Sequence, residues 1–314
     1  MIAPTITPTH SAHRIKSRPT LSILIPFFRD NPSELIETLA SIAGQSVEVL
    51  TYDDGTGDKD LSREVSAAVK SAACQASLFT AHDNRGRAFG RNYLFDMAKA
   101  DWVLFLDADM MPMNEHFITT YLTEIKAGTS DVIFGGFNVL ETNGTPETEI
   151  HRVMSITSDC APAAERQRLG PKNVASSNLC VRKTVLTAEP FDTGFSGWGW
   201  EDSEWAARVS TRFRLKHIDN PALHLGLEST DTMLNRFRTS GHNYMRFTQR
   251  HPELASSLPL NRWVTRLRKT PGHQLLRPVL KLMVKINQAP IKLRIVALKL
   301  WRASWYAEVS HDPS

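Results

Sequence analysis

Apolar and polar positions follow two alternating patterns over the first third of the chain. Short apolar runs that end at proline, glycine or acidic residues predict buried strands. The segments between them carry apolar residues at helical spacing, as in "NPSELIETLASIAGQ", which contains Leu35, Ile36, Leu39 and Ile42. This alternation predicts an α/β fold with a mostly parallel sheet covered by helices on both faces. The predicted strands lie in 21–26, 47–58, 77–81 and 101–110, and the predicted helices in 31–44, about 59–74 and about 87–99.

The second half of the chain has a more mixed pattern. Further apolar runs predict strands, and the segment 213–226 predicts two short strands broken at Asn220-Pro221. The other elements expected here are strands at 131–140 and 175–181, a helical link near 148–169 and a helix over about 230–250. We therefore expect one globular domain over residues 21–250, with a flexible leader at 1–20 and a helical tail at 251–314.

Carboxylates collect where the predicted strands end. Asp53 and Asp54 follow one strand, and Asp107 and Asp109 follow the apolar run "WVLFL". Parallel sheets bind ligands at the carboxyl ends of their strands, and hard divalent cations prefer oxygen ligands. The pair in "LDAD" therefore indicates a Mn²⁺ or Mg²⁺ site, although two solvated acids in a loop are the plainer interpretation.

Two glycines and two arginines open the predicted helix in "DNRGRAFGRNYLFDMAKA". Gly86 and Gly90 leave backbone amides accessible, and Arg87 and Arg91 add positive charge, which together favour an anionic ligand. A glycine-rich turn before a surface helix would look similar. Beside the strand-end acids, this segment fits a nucleotide diphosphate.

Two tryptophans and three acids lie close together in "GFSGWGWEDSEWAARV", residues 194–209. Acids in a first helical turn suit the helix dipole, and Glu204 can pair with Arg208 one turn later. That structural explanation accounts for Glu204. It leaves the paired tryptophans among the glycines unexplained.

Together these motifs resemble the family 2 glycosyltransferases of GT-A fold. The resemblance rests on "SILIPFF", "YDDGTG", "NRGRAFGRN", "LFLDADM" and "FDTGFSGWGWEDSEW", which follow one another in the family's order over roughly residues 21–226. It implies a nucleotide-sugar donor, a divalent metal bound by the DxD motif and inversion at the anomeric carbon. The "GWGWED" form is most similar to the acceptor-side motif of galactosyl- and N-acetylgalactosaminyltransferases, so a UDP-linked galactose or N-acetylgalactosamine is expected as the donor.

The resemblance also implies roles for single residues. Asp202 would be the general base, because inversion needs a carboxylate opposite the departing diphosphate. The acceptor would be bound by Trp198, Trp200 and Glu201, since indoles pack against the C–H faces of sugar rings and Glu201 can bind an acceptor hydroxyl. The donor would contact Pro26, Asp53, Asp54, Arg87, Arg91 and Asp107. The metal would be held by Asp109 and His224, with His217 as a second candidate.

The end of the chain is strongly basic. Residues 254–314 contain eleven Lys and Arg but two Asp and Glu, a net charge of +9 against −5 for residues 1–253. Arg277, Lys281 and Lys285 recur at helical spacing, and Trp301, Trp305 and Tyr306 lie near the end. Basic residues with interfacial aromatics favour helices that rest on an anionic membrane. Docking on the catalytic domain and oligomerisation are the alternatives, and no nucleic-acid module accompanies the charge.

Composition places few further limits. The 314 residues are 41% hydrophobic and 22% charged, as in ordinary soluble proteins. Three cysteines without paired spacing predict reduced thiols and a cytoplasmic location, at the inner face of the cell membrane if the tail binds lipid. The first twenty residues lack the apolar core of a signal peptide, and no run of eighteen apolar residues predicts a spanning helix.

The sequence thus predicts a metal-dependent inverting glycosyltransferase that acts on a glycan or lipid-linked acceptor. A sugar nucleotidyltransferase also needs strand-end acids and a metal. Such an enzyme would require a phosphate-binding loop rich in glycine and lysine after the first strand. The segment "IPFFRDNPSE" contains no glycine and no lysine. A non-catalytic sugar- or membrane-binding protein of the same fold is the other alternative, and the intact acid pairs argue against it.

Overall fold

The computed structural model describes residues 6–309. The strands are β1 (Ile6–His10), β2 (Leu21–Phe27), β3 (Val47–Asp53), β4 (Gln75–Ala81), β5 (Trp102–Leu106), β6 (Met110–Pro112), β7 (Val132–Phe134), β8 (Phe137–Asn138), β9 (Asn178–Arg182), β10 (Leu215–His217) and β11 (Ala222–His224). The helices are α1 (Ser33–Ile42), α2 (Lys59–Ser71), α3 (Arg87–Met97), α4 (Phe117–Ala127), α5 (Glu149–Ser158), α6 (Ala163–Leu169), α7 (Lys183–Ala188), α8 (Glu201–Ser210), α9 (Thr230–Thr239), α10 (Gly241–Arg250), α11 (Pro252–Ser257), α12 (Pro259–Arg268), α13 (Arg277–Lys285) and α14 (Ile291–Glu308).

The predicted α/β sheet is confirmed. Eight strands lie in the order β1-β4-β3-β2-β5-β9-β7-β10, and the central strands β4, β3, β2 and β5 are parallel. Strands β1 and β9 pair antiparallel with their neighbours. A second sheet of three short strands, β6-β11-β8, lies beside the carboxyl end of β5.

Helices cover both faces of the large sheet because successive strand residues point to opposite sides. Ile23 and Ile25 belong to one core with helices α1, α2 and α4. Leu24 lies in the other core, with α3, α7 and α8. Strands buried on both faces read as continuous apolar runs, which is the pattern that β2 and β5 show in the sequence.

Two predicted elements differ from the structure. Residues 6–10, which the sequence assigns to a flexible leader, form strand β1 along the edge of the sheet and pair with β4. The run 131–140 is divided into β7 and β8 at Gly135-Gly136, where Gly136 has a φ of +81°. A Cβ on Gly136 would lie 2.6 Å from the Arg166 guanidinium, so the close approach requires glycine.

The C-terminal helices are part of the globular body. Helix α14 packs against α9, α12 and α13. The Trp301 side chain is 7% exposed and donates its Nε1 hydrogen to the Leu234 carbonyl at 3.0 Å, and Tyr306 is fully buried. The expectation that Trp301, Trp305 and Tyr306 are interfacial aromatics is therefore wrong for Trp301 and Tyr306, because docking on the catalytic domain buries them. Trp305 is half-buried.

None of the helices within residues 6–309 is long and apolar enough to cross a bilayer. All three cysteines are free thiols, and Cys74 and Cys180 are buried. Burial raises the pKa of the Cys74 thiol to about 11, so it is protonated at neutral pH.

Candidate active site

A cleft of about 330 Å³ opens where the parallel strands end. Phe27 at the end of β2 pairs with Asp53 at the end of β3, so the loops after both strands meet at one edge of the sheet. The loop after β5, the start of α3 and the loop before α8 complete the walls. The lining residues are Pro26, Phe27, Phe28, Asp30, Asp54, Asn84, Gly86, Arg87, Gly90, Arg91, Asp107, Ala108, Asp109, Gly197, Trp198 and Arg236.

Asp109 and His224 meet at one side of this cleft. Strand β11 runs antiparallel to β6 in a register that pairs His224 with Met110, the residue after Asp109. His224 Nε2 lies 3.2 Å from Asp109 Oδ2 and donates a hydrogen bond to it. Gly226 passes so closely that a Cβ on it would lie 2.0 Å from the same oxygen.

Asp109 and His224 each stabilise the charged form of the other. Burial alone would raise the pKa of Asp109, but the hydrogen bond and charge of His224 outweigh it, and the pKa is lowered. Burial likewise opposes the charge of His224, yet Asp109 raises its pKa. The Asp30 pKa is raised by burial first and then by Asp109. Asp30 and His224 therefore both lie close enough to Asp109 for its carboxylate to shift their pKa values.

Asp109 and His224 fit a divalent cation. A carboxylate with an imidazole is a donor set that Mn²⁺ accepts, and substrate phosphates and water supply the remaining ligands in such sites. His224 Nδ1 is buried without a partner among the described residues. Within residues 6–309 no group of three or more His, Cys, Asp and Glu side chains could hold a metal, so the protein offers two ligands here. His217 lies elsewhere, beside Arg166 at 3.3 Å, and burial with the Arg166 charge lowers its pKa to about 4.

Two arginines at the start of α3 connect the opposite walls. Arg91 is 1% exposed, and its Nη2 donates to Asp107 Oδ1 at 3.0 Å. Its Nη1 lies 4.0 Å from Asp202. Arg87 lies 3.9 Å from Asp107 and 3.7 Å from Glu201. The arginines therefore set the distance between the strand-end acids and the acid pair of α8.

Glu201 and Asp202 form the first turn of α8. Glu201 is 7% exposed, and burial followed by the neighbouring Asp202 charge raises its pKa. Asp202 is half-buried and accepts a hydrogen bond from the Ser176 backbone N–H at 3.0 Å through Oδ2. Its Oδ1 and the Glu201 Oε2 have no hydrogen-bond donor among the described residues. Both oxygens are buried, and the two acids lie next to Arg87 and Arg91 rather than among the residues that line the cleft.

Asp53 and Asp54 hold the loop that follows β3 in place. Asp53 is buried and accepts the Thr56 N–H at 2.9 Å. Asp54 accepts the Arg85 and Gly86 N–H groups, each at 2.8 Å, which joins the loop after β3 to the loop before α3. Asp54 lines the cleft with Pro26, whereas Asp53 is not among the lining residues. Both acids hold loops together, and their contact with a base or ribose stays a prediction.

The two tryptophans occupy different surroundings. Trp198 lines the cleft and packs against Phe237 of α9 with ring centroids 5.6 Å apart. Trp200 is absent from the lining. Its ring lies 5.1 Å from Tyr244 and 5.0 Å from Phe247, and its Nε1 donates to Tyr306 Oη at 3.3 Å. The structure thus brings Trp198 to the predicted sugar pocket but directs Trp200 towards the C-terminal helices.

Three lining residues escaped sequence analysis: Asp30, Asn84 and Arg236. Asp30 follows the apolar strand β2, so the rule that singled out Asp53 and Asp107 could have found it. Arg236 comes from α9, where no motif indicates it. Its guanidinium pairs with Glu228 at 2.5 Å and lies 5.7 Å from the Trp198 ring.

Several solved structures are similar to this protein in fold. The chain is similar to S. aureus TarS 1-349 in complex with UDP-GlcNAc (TM-score 0.50, 14% identity, 91% of each chain covered). It is also similar to the mannosyltransferase PcManGT from Pyrobaculum calidifontis in complex with GDP-Man and Mn²⁺ (0.52, 15%, 94% of this chain and 88% of that one). A third is glucosyl-3-phosphoglycerate synthase from Mycobacterium tuberculosis with Mn²⁺ and UDP (0.50, 16%, 73% and 80%). The fold is that of the GT-A glycosyltransferases.

The sequence then identifies the family. Residues 22–178, half of the chain, match the profile of Glycosyl transferase family 2, and the chain belongs to this family. The protein is a glycosyltransferase, and its predicted membership of this family is confirmed. No curated protein sequence matches the chain.

Proposed function

We propose that this glycosyltransferase moves a sugar from a nucleotide sugar, with inversion and with the help of a divalent cation, to a hydroxyl of a glycan or lipid-linked acceptor. One observation carries the proposal. Asp109, Arg87 and Arg91 line a single cleft although they are far apart in sequence, and His224 contacts Asp109 there. Contacts of 3.0 to 4.0 Å connect the two arginines to Asp107 on one side and to Glu201 and Asp202 on the other.

Residues on two sides of the cleft have different roles in the proposed reaction. A cation bound by Asp109 and His224 would neutralise charge that grows on the leaving diphosphate. Arg87 and Arg236 add positive charge in the same cleft. On the other wall, Asp202 takes the proton of the acceptor hydroxyl as its oxygen attacks the anomeric carbon. The carbon–oxygen bond to the diphosphate breaks, and the nucleoside diphosphate leaves with the electron pair.

Trp198 and Glu201 suit the acceptor. Trp198 lines the cleft, and the C–H groups of a sugar ring can pack against its indole. Glu201 would bind a sugar hydroxyl beside the one that reacts through Oε2, which is buried and has no hydrogen-bond donor among the described residues. Burial, followed by the neighbouring Asp202, raises the pKa of Glu201 and so favours its neutral form.

The donor can be determined directly. The three similar proteins are named with UDP-GlcNAc, GDP-Man and UDP, so they do not select one donor. We propose a UDP-sugar, with galactose or N-acetylgalactosamine from the "GWGWED" motif. Thermal stabilisation and donor hydrolysis across a panel of nucleotide sugars should single out one compound in the presence of Mn²⁺. No stabilisation by any nucleotide sugar would contradict the proposed function, and a preference for another sugar would correct the donor.

We further propose that the enzyme rests on an anionic lipid surface, at the inner face of the cell membrane, through α13 and the exposed side of α14. Large apolar side chains are exposed on these helices and in the turns on either side of α13: Leu275, Leu276, Val279, Leu282, Met283, Ile286, Leu293 and Val296. Lys281, Lys292 and Lys299 are exposed on the same helices. An apolar patch flanked by cations matches an anionic bilayer, and each cation near such a surface contributes roughly 1 kcal/mol.

Point substitutions test this surface better than truncation, because removal of α14 would uncover the core around Trp301. Leu275 and Leu282 are 82% and 62% exposed. The double variant Leu275→Asp, Leu282→Asp should co-sediment less with vesicles that contain anionic lipid and retain its melting temperature. Leu140→Asp, at 58% exposed and outside the patch, is the matched control. Equal sedimentation of both variants and the wild type would exclude this surface.

A further inference from the structure

Trp200 has a backbone conformation that its residue type rarely adopts. Its φ of +77° is left-handed, and only Arg29 shares this among the non-glycine residues from 6 to 309. Trp200 is the residue that precedes α8, and its carbonyl accepts the Glu204 N–H at 2.9 Å, the first hydrogen bond of that helix. Its backbone therefore sets where Glu201 and Asp202 begin. Such strained residues persist only where the surroundings hold them.

The surroundings that hold Trp200 come from the C-terminal part of the chain. Tyr244 and Phe247 of α10 lie against its ring. From α14, the Arg302 guanidinium lies 5.1 Å from the ring centre, and Tyr306 Oη accepts the indole hydrogen at 3.3 Å.

Tyr306 is itself fixed in place. Its ring stacks on Tyr244 with centroids 4.8 Å apart, and its hydroxyl contacts Ser240 Oγ at 2.5 Å. Arg302 Nε donates to the same hydroxyl at 3.0 Å. Ser240 lies between α9 and α10. These two helices and α14 therefore converge on the hydroxyl oxygen that holds the indole.

The rest of the loop does not supply this rigidity. Gly197 and Gly199 have φ values of +72° and +91°, and a Cβ on either would meet nothing within 4 Å. Neither glycine anchors the loop through a side chain. Asn243 holds the loop backbone from outside, since its Nδ2 donates to the Ser196 and Gly199 carbonyls at 2.9 and 3.0 Å. The side chain of Trp200 is the large anchor next to the acids.

We propose that Trp200 is a positioning residue through which α14 fixes the acid pair Glu201-Asp202, so that the C-terminal helices are part of the catalytic apparatus. The inference rests on the proposed function, since it assigns a purpose to the placement of Asp202. Trp200 contacts no substrate in this account. It replaces the acceptor-binding role that its sequence motif suggests.

Substitution of Trp200 by glycine and by phenylalanine distinguishes the role of its backbone conformation from the role of its side chain. Trp200→Gly accepts the left-handed conformation without cost but removes the anchor. We expect kcat to fall about tenfold or more, because even a small displacement of a catalytic group lowers the reaction rate strongly. The KM for the donor and the nucleotide affinity should stay unchanged. Trp200→Phe keeps the ring contacts and should recover most of kcat, and Tyr306→Phe, which removes only the hydroxyl, should give a smaller loss in the same direction.

Amide hydrogen exchange provides a second measurement, which does not depend on enzyme activity. In Trp200→Gly, the amide of Glu204 should lose protection by about tenfold, with the amides of α3 unchanged. Wild-type kcat together with wild-type protection in Trp200→Gly would overturn the inference, as would a uniform loss of protection across the domain. A wild-type enzyme that transfers no sugar would refute the proposed function instead, and the exchange measurement would still decide whether Trp200 holds this turn.

Discussion

Asp202→Asn is expected to lower the turnover of sugar transfer at least about a hundredfold, the usual contribution of a general base. Asparagine has the same shape and can still accept the Ser176 N–H that Asp202 accepts at 3.0 Å. It cannot take a proton from the acceptor. Steady-state kinetics with donor and acceptor varied should show the loss in kcat, while calorimetric titration should show nucleotide and Mn²⁺ affinities close to those of the wild type.

Two variants in the same helical turn sharpen this test. Ser203→Ala should behave as the wild type, because Ser203 has no part in the proposed chemistry. Glu201→Gln should raise the KM for the acceptor more than it lowers kcat, because Glu201 is assigned to binding. Unchanged turnover in Asp202→Asn would remove Asp202 from the role of base, and a collapse in Glu201→Gln alone would exchange the two assignments.

Asp109→Ala is expected to abolish the part of nucleoside diphosphate affinity that depends on the metal. The variant loses one of the two protein ligands, and a loss of ten- to a hundredfold or more follows, since even outer-shell partners of metal ligands contribute about that much. Titration of the donor's nucleoside diphosphate should therefore give weak binding with Mn²⁺. In EDTA the variant and the wild type should bind equally weakly.

The same strand offers a control. Asp101 precedes β5 at its other end, where it pairs with exposed Arg18, and Asp101→Ala should leave the titration unchanged. Gly226→Ala adds a methyl group that would lie 2.0 Å from Asp109 Oδ2, so it should weaken the same metal-dependent binding while every ligand is retained. A titration of Asp109→Ala like that of the wild type would rule out the ligand assignment.

Much of the fold could be predicted from local patterns. Runs such as "LSILIP" and "WVLFL" are apolar because their strands are buried on both faces, and that burial does not depend on details of packing. Helix α1 lies at Ser33–Ile42, within the segment bounded by Asn31-Pro32 and Gly44. The edge strand β1 was missed because "ITPTH" has mixed polarity, and its pairing with β4 is a long-range choice.

The site was predictable to different degrees on its two sides. Asp54, Asp107 and Asp109 follow buried strands, so the sheet itself carries them to one edge. His224 reaches Asp109 only because a short antiparallel strand pairs with β6, a register that no motif encodes. Arg236 and Asp30 enter the cleft through helix packing and a loop path, and the sequence held a signal only for Asp30.

The sequence alone determined the α/β class, the strand-end acids and the acid pair at the start of α8, because each depends on residues that are neighbours along the chain. Tertiary structure alone decided which indole faces the cleft and where the C-terminal helices lie. Trp198 and Trp200 are two positions apart and chemically identical, and their surroundings are set by α9, α10 and α14. Amphipathic helices can bury their apolar faces on lipid or on protein. Only the packed structure shows that α14 buries one face on the domain while α13 leaves Val279 and Leu282 exposed.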